Sequence, residues 1–303
     1  MLPLYYEYHN PVKILSGEAA LENIPYELHA LDAHAPLLLS DQGLQKIGAV
    51  DTVLRAIAPV VPKAVFTDIP ADSSVAVVNR IAAYYQEQGC DSILAVGGGS
   101  VIDTAKGVRM VIAQNTDDIE ALMGCEVLTA GRHIPFLAVP TTAGTGSEVT
   151  PVAVISNPEK QVKQEYISAH LLPDAAILDL RMTMTLPPRV TASTGIDALC
   201  HAIESFTCLQ KNPMSDAYAA GAIPMILRSL PIAVSHPGDK GARMAMANAS
   251  LMAGTAFGNS MVGLVHAIGH ALGGVCHVAH GDAMSILLPH VMAYNLDKCR
   301  ERY

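Results

Sequence analysis

The sequence has few charged side chains. Charged residues make up 16% of the 303 residues and hydrophobic residues 50%, a balance that excludes a disordered chain. Acidic residues outnumber basic ones, so the formal net charge is −9. Because no lysine or arginine cluster overrides this acidic balance, nucleic-acid binding is not expected.

The cysteines lack the pattern of a disulfide framework. They are scattered at positions 90, 125, 200, 208, 276 and 299, and none forms a CxxC pair. The N-terminus, MLPLYYEYHNPVKILSG, lacks the basic start and the apolar run of a signal peptide. Together these absences predict reduced thiols in a cytoplasmic protein.

The first 180 or so residues alternate short apolar runs with helical patterns. Segments with helical spacing, such as residues 74–89, lie between several of these runs. Strand–helix alternation predicts a parallel sheet covered by helices. The predicted strands are residues 36–40, 63–66, 92–96, 135–139 and 175–180.

The character of the sequence changes after these strands, where long Ala/Met/Leu helical patterns take over. Pro187 and Pro188 mark a boundary, since the residue before a proline is disfavoured in a helix. We therefore predict an α/β domain over residues 1–182 and an all-helical domain over residues 183–303. The charge-free segment 244–265 is long enough to span a bilayer, but its asparagines and small residues favour a buried core helix.

A glycine-rich turn follows the third predicted strand. It consists of Gly97, Gly98 and Gly99. Without side chains at the turn, backbone N–H groups can approach an anion closely. Ser100 is a predicted N-cap, and Asp103 three residues later completes a capping-box-like pattern. A phosphate site at the helix N-terminus and an ordinary tight turn are both open interpretations, because the stretch is not a GxGxxG fingerprint.

Two further loops follow predicted strands, where parallel sheets place ligands. Asp41 can accept a hydrogen bond from a ribose hydroxyl and would repel a 2′-phosphate, which favours NAD over NADP; its alternative role is a turn or cap residue. The loop VPTTAGTGSEVT has hydroxyl groups suited to binding pyrophosphate and ribose. The alternative interpretation is a polar loop without a ligand. The relevant residues of this loop are Thr141, Thr142, Thr145 and Ser147. Three such loops at one sheet edge favour a dinucleotide site.

The charge-free part of the chain contains a cluster of histidines. In GLVHAIGHALGGVCHVAHGDA they are His266, His270, His277 and His280. A buried imidazole is costly unless it is bonded, so such a cluster needs a purpose. His266 and His270 are four residues apart on a predicted helix that Gly273 and Gly274 are expected to end.

A carboxylate and another imidazole come from a second predicted helix, residues 193–206. Asp197 and His201 are four residues apart and share one face of that helix. One carboxylate with three neutral imidazoles is typical of an Fe(II) or Zn(II) site. A single histidine is more often a satisfied core or surface residue, but the paired spacing favours a divalent metal inside the helical domain. Absence of HExxH argues against a zincin protease.

These motifs resemble those of the iron-containing (group III) alcohol dehydrogenase family. The matching stretches are GGGSVIDTAKG, VPTTAGTGSEVT, TGIDALCHAIE and GLVHAIGHALGG followed by HGDAMSILLPHVM. The resemblance implies an N-terminal Rossmann-like domain, a helical metal-binding domain and a cleft between them, the dehydroquinate synthase-like architecture. A related lyase on this architecture is the other possibility, and GIDALCHAIE fits the dehydrogenases better.

The resemblance also implies roles for individual residues. The metal ligands would be Asp197, His201, His266 and His280, binding Fe(II) or alternatively Zn(II). His270 matches a family histidine near the active site that is not usually a ligand, and becomes the candidate for proton relay. Lys163, which alone reads as a surface lysine, falls where the family holds NAD(H). The full set predicted to bind NAD(H) is Asp41, Gly97, Gly98, Gly99, Ser100, Asp103, Thr141, Thr142, Thr145, Ser147 and Lys163.

The resemblance implies hydride transfer between NAD(H) and a small primary alcohol or diol, or its aldehyde. It also implies a homo-oligomer. No nucleic-acid or membrane partner is expected. Family members normally continue through several more helices after LLPHVMAYN, whereas this chain ends at Tyr303. A second hypothesis is therefore a non-catalytic NAD-binding or assembly protein that keeps the fold without turnover.

Overall fold

A parallel sheet and an antiparallel hairpin account for the strands of the computed structural model, which describes residues 3–124, 128–276 and 278–303. The strands in those residues are β1 (Lys13–Gly17), β2 (Pro36–Leu39), β3 (Ala64–Phe66), β4 (Ser92–Gly97), β5 (Phe136–Pro140), β6 (Val152–Asn157), β7 (Val162–Ile167) and β8 (Ala175–Asp179). The sheet has the order β1-β8-β5-β4-β2-β3, and β6 pairs with β7 in the hairpin. Every pairing within the sheet is parallel.

The strands predicted from apolar runs all form, within one residue at each end. Strands β1, β6 and β7 were not predicted. β1 (KILSG) and β7 (VKQEYI) have no more than two consecutive apolar residues, so they lack a long apolar run, whereas the apolar run VAVI of β6 was overlooked. The predicted fold class, a Rossmann-like α/β part followed by an all-helical part, is confirmed.

Helices pack on both faces of the sheet. Up to the end of the α/β part they are α1 (Ile24–Ala30), α2 (Gln42–Lys46), α3 (Ala49–Ala56), α4 (Val75–Gln88), α5 (Gly99–Ala113) and α6 (Leu180–Thr183). Leu37 and Ile93 point to a core with α4 and α5, whereas the adjacent Leu38 and Leu94 point to a core with α1 and α3. This alternation along each strand explains why the sheet strands are apolar throughout.

The chain divides into two compact units. One comprises Pro11–Thr141 and Ser147–Met182, and contains the sheet. The other comprises Thr183–Tyr303 together with residues 3–10 and Thr142–Gly146. No single boundary in the sequence separates the two units, because a short segment after β5 clusters with the helical unit.

Long helices build the helical unit. They are α7 (Pro188–Thr207), α8 (Pro213–Ser235), α9 (Lys240–Phe257), α10 (Leu264–Cys276) and α11 (His280–Cys299). Pro188 opens α7 at a position where a proline costs no hydrogen bond. The prediction that Gly273 and Gly274 end the second histidine helix is wrong, because α10 continues through both glycines to Cys276. Neither glycine adopts the left-handed conformation that ends many helices.

The charge-free segment 244–265 does not form one continuous helix, because α9 ends at Phe257 and α10 begins at Leu264. Most of α9 is buried, as expected for a core helix. Among the helices of the described residues, α8 alone has the length and apolar composition of a membrane span, with a mean hydropathy of 1.4. It packs against both α7 and α9.

A buried lysine ties α5 to the chain after β5. Lys106 is fully buried, and its Nζ donates to the carbonyl oxygens of Thr150 at 2.9 Å and Val152 at 2.6 Å. Burial lowers the pKa of Lys106 to about 8. Burial also raises the pKa of the nearby Glu148 to about 7. Removing both groups from water in this way makes the stability of the α/β unit depend on pH.

Replacing Glu148 with glutamine tests this pH dependence. The folded-state pKa of Glu148 is raised from its ordinary value of 4.5 to about 7. The contribution that proton binding by Glu148 makes to the stability of the folded state is therefore complete below about pH 4.5 and is lost as the pH rises through 7. We expect the free energy of unfolding of E148Q, relative to that of the parent, to rise by roughly 1.4 kcal/mol per pH unit across this range. Urea unfolding at several pH values measures it, and a difference that does not vary with pH would contradict the interpretation.

Candidate active site

The carboxyl ends of β2, β4 and β5 lie side by side, because these strands are neighbours in a parallel sheet. Ser40 Oγ donates to the carbonyl of Val96 at 2.8 Å, and the backbone N–H of Thr141 donates to Gly97 at 3.0 Å. The chain leaving β2 leads to β3 on one side, while the chain leaving β4 leads to β5 on the other. Doubly wound sheets bind ligands where the strand order reverses in this way.

The glycine-rich turn lies at this reversal. Gly97 ends β4, Gly98 caps α5 in an extended conformation, and Gly99 begins the helix. A Cβ at position 97 would lie 2.5 Å from the Cβ of Val101, so only glycine permits this close return of the chain. The turn itself carries no side chain beside the backbone N–H groups at the start of α5, an arrangement that suits an anion.

The predicted capping box at this turn is wrong. Helix α5 begins one residue before Ser100, so Ser100 lies in its first turn and Gly98 takes the cap position. The Ser100 Oγ instead accepts a hydrogen bond from the backbone N–H of Asp72 at 3.2 Å. Asp72 also pairs with Lys163 at 2.7 Å, which brings this lysine of β7 to the same loop. Ser100 and Lys163 therefore both bond to Asp72, although they are far apart in the sequence.

Asp103 bonds to another predicted cofactor residue. Its Oδ1 accepts from Ser147 Oγ at 2.6 Å and its Oδ2 from the backbone N–H of Val154 at 3.0 Å. Burial raises the pKa of Asp103, while the nearby Lys106 opposes that rise. Asp103 and Ser147 therefore hold the segment after β5 against α5.

The remaining predicted cofactor residues lie in two loops. Asp41 follows β2 and caps α2, its Oδ1 accepting from the backbone N–H of Leu44 at 2.9 Å. Thr142 and Thr145 are half-buried and lie in the segment Thr142–Gly146, which clusters with the helical unit rather than with the sheet. In that unit a Cβ on Gly144 would lie 2.6 Å from the carbonyl oxygen of Thr194 in α7.

In the helical unit, Asp197 lies at the centre of the predicted metal ligands. Its Oδ1 is 3.9 Å from His201 Nε2, 3.5 Å from His266 Nε2 and 3.3 Å from His280 Nε2. Asp197 and His201 lie one turn apart on α7, His266 lies near the start of α10, and His280 begins α11. Side chains from three helices thus surround one carboxylate.

Two atoms of this cluster have no hydrogen-bond partner among the described residues, although both are buried: Asp197 Oδ1 and His266 Nε2. Leaving a buried polar atom unpaired costs about 1–3 kcal/mol. Asp197, His201 and His266 offer ligand atoms within 4.8 Å of one another. A cation among these atoms would satisfy both orphaned groups, so the residues fit a divalent metal with nitrogen and oxygen ligands.

The other ring nitrogens of two histidines are held by acceptors. His201 Nδ1 lies 3.3 Å from the carbonyl oxygen of Gly144, and His266 Nδ1 lies 2.5 Å from Glu204 Oε2. Burial lowers the pKa of His201 to about 3, despite the nearby charge of Asp197. Burial acts in the same direction on His266, but Asp197 and Glu204 raise its pKa to about 9. Two carboxylates around one ring therefore attract a positive charge, whether a proton or a metal ion.

The second carboxylate, Glu204, was missed by the sequence analysis. It lies three residues after His201 and seven after Asp197, so all three share one face of α7. That spacing was a signal available in the sequence. Phe257, whose ring stacks on His201 with centroids 4.2 Å apart, was also missed and has no comparable signal.

His270 lies beside the cluster. Its ring centroid is 5.9 Å from that of His266 and 5.3 Å from that of His280. It is half-buried, whereas His266 is fully buried, so His270 lies closer to solvent. His277 lies outside the described residues.

The sequence matches two family descriptions that together cover most of the chain. Residues 11–180 match "Iron-containing alcohol dehydrogenase", and residues 191–303 match "Fe-containing alcohol dehydrogenase family, C-terminal". The chain belongs to the iron-containing alcohol dehydrogenase family. This membership agrees with the sheet-edge loops and with the buried carboxylate–imidazole cluster.

Named relatives cover nearly all of this dehydrogenase chain. The "Probable alcohol dehydrogenase EutG" of Salmonella typhimurium is 41% identical over 97% of the chain and 74% of its own length. The crystal structure of a 1,3-propanediol oxidoreductase superimposes with a TM-score of 0.92 at 38% identity, covering 96% of this chain and 76% of that one. A sulfoacetaldehyde reductase from Bifidobacterium kashiwanohense, solved in complex with NAD+, has a TM-score of 0.89 at 32% identity, with 97% and 77% covered.

Substitution of Gly97 by alanine tests the close approach at the turn. Since the new Cβ would lie 2.5 Å from Val101, the turn or the start of α5 must shift. We expect a loss of about 1–3 kcal/mol in the free energy of unfolding, measured by urea denaturation. The matched control is Gly17→Ala at the end of β1, where a Cβ meets nothing within 4 Å. Equal stability of the two variants would contradict the steric argument.

Proposed function

We propose that this iron-type enzyme oxidises a small primary alcohol or diol to its aldehyde with NAD, and catalyses the reverse reduction. It is an NAD-dependent alcohol dehydrogenase: its family, and relatives named for alcohol and 1,3-propanediol or solved with NAD+, support this activity. The observation that carries the proposal is the buried Asp197 cluster with its orphaned atoms. The alternative of a non-catalytic NAD-binding or assembly protein is not favoured, because residues 191–303 match the C-terminal family description and the named relatives are dehydrogenases or oxidoreductases.

Four residues would hold the metal: Asp197, His201, His266 and His280. Iron is the metal that the family membership supports, and these ligands also accept zinc. When bound, the metal would supply a Lewis acid that lowers the pKa of the alcohol oxygen, and NAD would supply the acceptor for the hydride of the alcohol carbon. Asp197 supplies the negative charge that balances the cation, and its burial keeps water from screening that charge.

His270 is proposed to carry the proton. The alcohol loses one hydride and one proton on becoming an aldehyde, so a group near the metal ligands must accept the proton. His270 lies next to His266 and His280 and is partly exposed. A ring nitrogen of His270 takes up the hydroxyl proton, directly or through water, and releases it to solvent.

NAD is proposed to bind across the sheet edge where the strand order reverses. The pyrophosphate lies at the start of α5, where Gly97–Gly99 leave the backbone N–H groups accessible. Asp41, at the end of β2, accepts from the adenosine ribose. The other proposed contacts come from Ser100, Asp103, Thr141, Thr142, Thr145, Ser147 and Lys163. Of these, Asp103 and Ser147 already bond to each other, and they position the loop after β5.

We also propose that the protein is a cytoplasmic homo-oligomer without nucleic-acid or membrane partners. The net charge of −9 opposes association with phosphate backbones. The described cysteines carry free thiols, which is consistent with a reducing compartment; Cys125 lies outside the described residues. Small alcohols and aldehydes are the partners that its relatives support.

The activity is tested by reconstituting the protein anaerobically with Fe(II) and following NADH at 340 nm with NAD and a panel of primary alcohols and diols. We expect metal-dependent NADH formation. His266→Ala removes a ligand, and should abolish bound iron and turnover while NAD binding persists. Iron content by elemental analysis and NAD affinity by calorimetry measure the two separately. Unchanged iron content in H266A would refute the ligand assignment, and absence of turnover in the iron-loaded parent would refute the dehydrogenase activity.

The preference for NAD is tested by Asp41→Ser. Serine keeps an oxygen that can cap α2, but removes the charge that would repel a 2′-phosphate. We expect the ratio of kcat/KM for NAD to that for NADP to fall at least about tenfold, or about 1.4 kcal/mol. Asp118→Ser is the control, because Asp118 also caps a short helix in the same unit, at Ile119–Leu122. An unchanged ratio in D41S would exclude Asp41 from ribose recognition.

A further inference from the structure

Glu204 is a buried carboxylate whose two oxygens have different partners. Its Oε1 accepts a hydrogen bond from the backbone N–H of Val265 at 2.6 Å, and its Oε2 lies 2.5 Å from His266 Nδ1. A Cβ on Gly263 would lie 2.9 Å from Oε1, so this glycine leaves room for the carboxylate. The side chain of Glu204 thus connects α7 with the chain that enters α10.

The contact with His266 determines which ring nitrogen carries the proton. The oxygens of an ionised carboxylate can only accept hydrogen bonds, so a neutral imidazole bonded to Glu204 must donate from Nδ1. The lone pair then lies on Nε2, the nitrogen that points to Asp197 Oδ1 at 3.5 Å. With the proton on Nδ1, the free lone pair is on Nε2, which is the nitrogen that faces the other proposed ligands. The other tautomer would place a proton at that position.

The contact with Val265 fixes the position of the same ring. Val265 is the second residue of α10 and His266 is the third. The N–H groups in the first turn of a helix have no partner within the helix, and an acidic group near them is favourable. One carboxylate therefore anchors both the helix end and the imidazole that this end carries.

We propose that Glu204 is a positioning residue, which holds His266 in the tautomer and orientation needed to bind the metal. The inference rests on the proposed metal site, since it gives Glu204 its role through a proposed ligand. A carboxylate that receives the second N–H of a metal-bound histidine typically changes metal affinity 10- to 100-fold when it is lost.

The test compares Glu204→Gln with the parent, using Co²⁺ as the probe. Glutamine preserves the shape but replaces one of the two carboxylate oxygens with an NH2 group, which cannot accept from the donor that it faces, the N–H of Val265 or of His266. We expect the Kd for Co²⁺, measured by chelator competition, to rise roughly 10- to 100-fold. The visible absorption of the Co²⁺ complex should change as well, because the imidazole no longer holds its position. Glu204→Asp keeps an acceptor carboxylate and should retain more affinity than E204Q.

The matched control is Asp239→Asn. Asp239 also bonds to a helix N-terminus in the helical unit, accepting from the backbone N–H of Ala242 at 2.8 Å, but it is outside the proposed ligand contacts. D239N should leave the Kd for Co²⁺ unchanged. If Glu204 were only a helix cap, E204Q would lower the Tm of the metal-free protein while keeping the parent Kd and absorption spectrum. That result would overturn the proposal.

A measurement on the parent keeps the proposal testable if E204Q fails to fold. In the Zn²⁺-loaded protein, ¹⁵N NMR of labelled histidine should show the His266 proton on Nδ1. A proton on Nε2 would overturn the proposal.

The outcomes also separate this proposal from the metal site itself. Loss of Co²⁺ binding in H266A with a parent-like E204Q would reject the role of Glu204 alone. Co²⁺ binding that survives in H266A would instead reject the ligand assignment on which the role rests.

Discussion

The histidine cluster of the helical unit is arranged around one buried carboxylate, that of Asp197. Asp197 lies inside packed helices, where an uncompensated carboxylate is expensive, so the surrounding side chains must supply compensation. They do so with imidazoles from α7, α10 and α11 rather than with lysine or arginine. An imidazole ring can be neutral and still direct a lone pair at a cation, which an ammonium or a guanidinium group cannot do. The absence of strong charges between Arg243 and Asp282 is therefore part of the site's design.

A different constraint governs the α/β unit. Parallel pairing aligns the carboxyl ends of β2, β4 and β5, so loops that are far apart in sequence meet at one sheet edge without needing contacts of their own. Buried groups then hold these loops in place: Lys106 bonds to the chain around Thr150, and Asp103 bonds to Ser147. Lys106 and Asp103 thus hold the chain between Ser147 and Val154 against α5.

Much of this architecture could be predicted from the sequence, because buried parallel strands are apolar along their whole length and Asp197 and His201 lie four residues apart on one face of a helix. The edge strand β1 and strand β7 escaped prediction because neither has a long apolar run, whereas the apolar run VAVI of β6 was overlooked. Ser100 was misplaced because a glycine can take the cap position without any side-chain signal. Glu204 lay within a recognised motif, but its partner His266 comes from a helix some sixty residues later, and only the fold brings the two together.

The two innermost imidazoles differ in how their orientation is encoded. A peptide carbonyl, that of Gly144, faces the Nδ1 of His201, whereas a side chain faces the Nδ1 of His266. No single substitution deletes a peptide carbonyl, so the electronic character of His201 is insulated from point mutation. The basicity of His266, in contrast, can be tuned by changing one codon. During evolution, variation in the electron density at the metal would therefore enter through the Glu204–His266 contact far more readily than through His201.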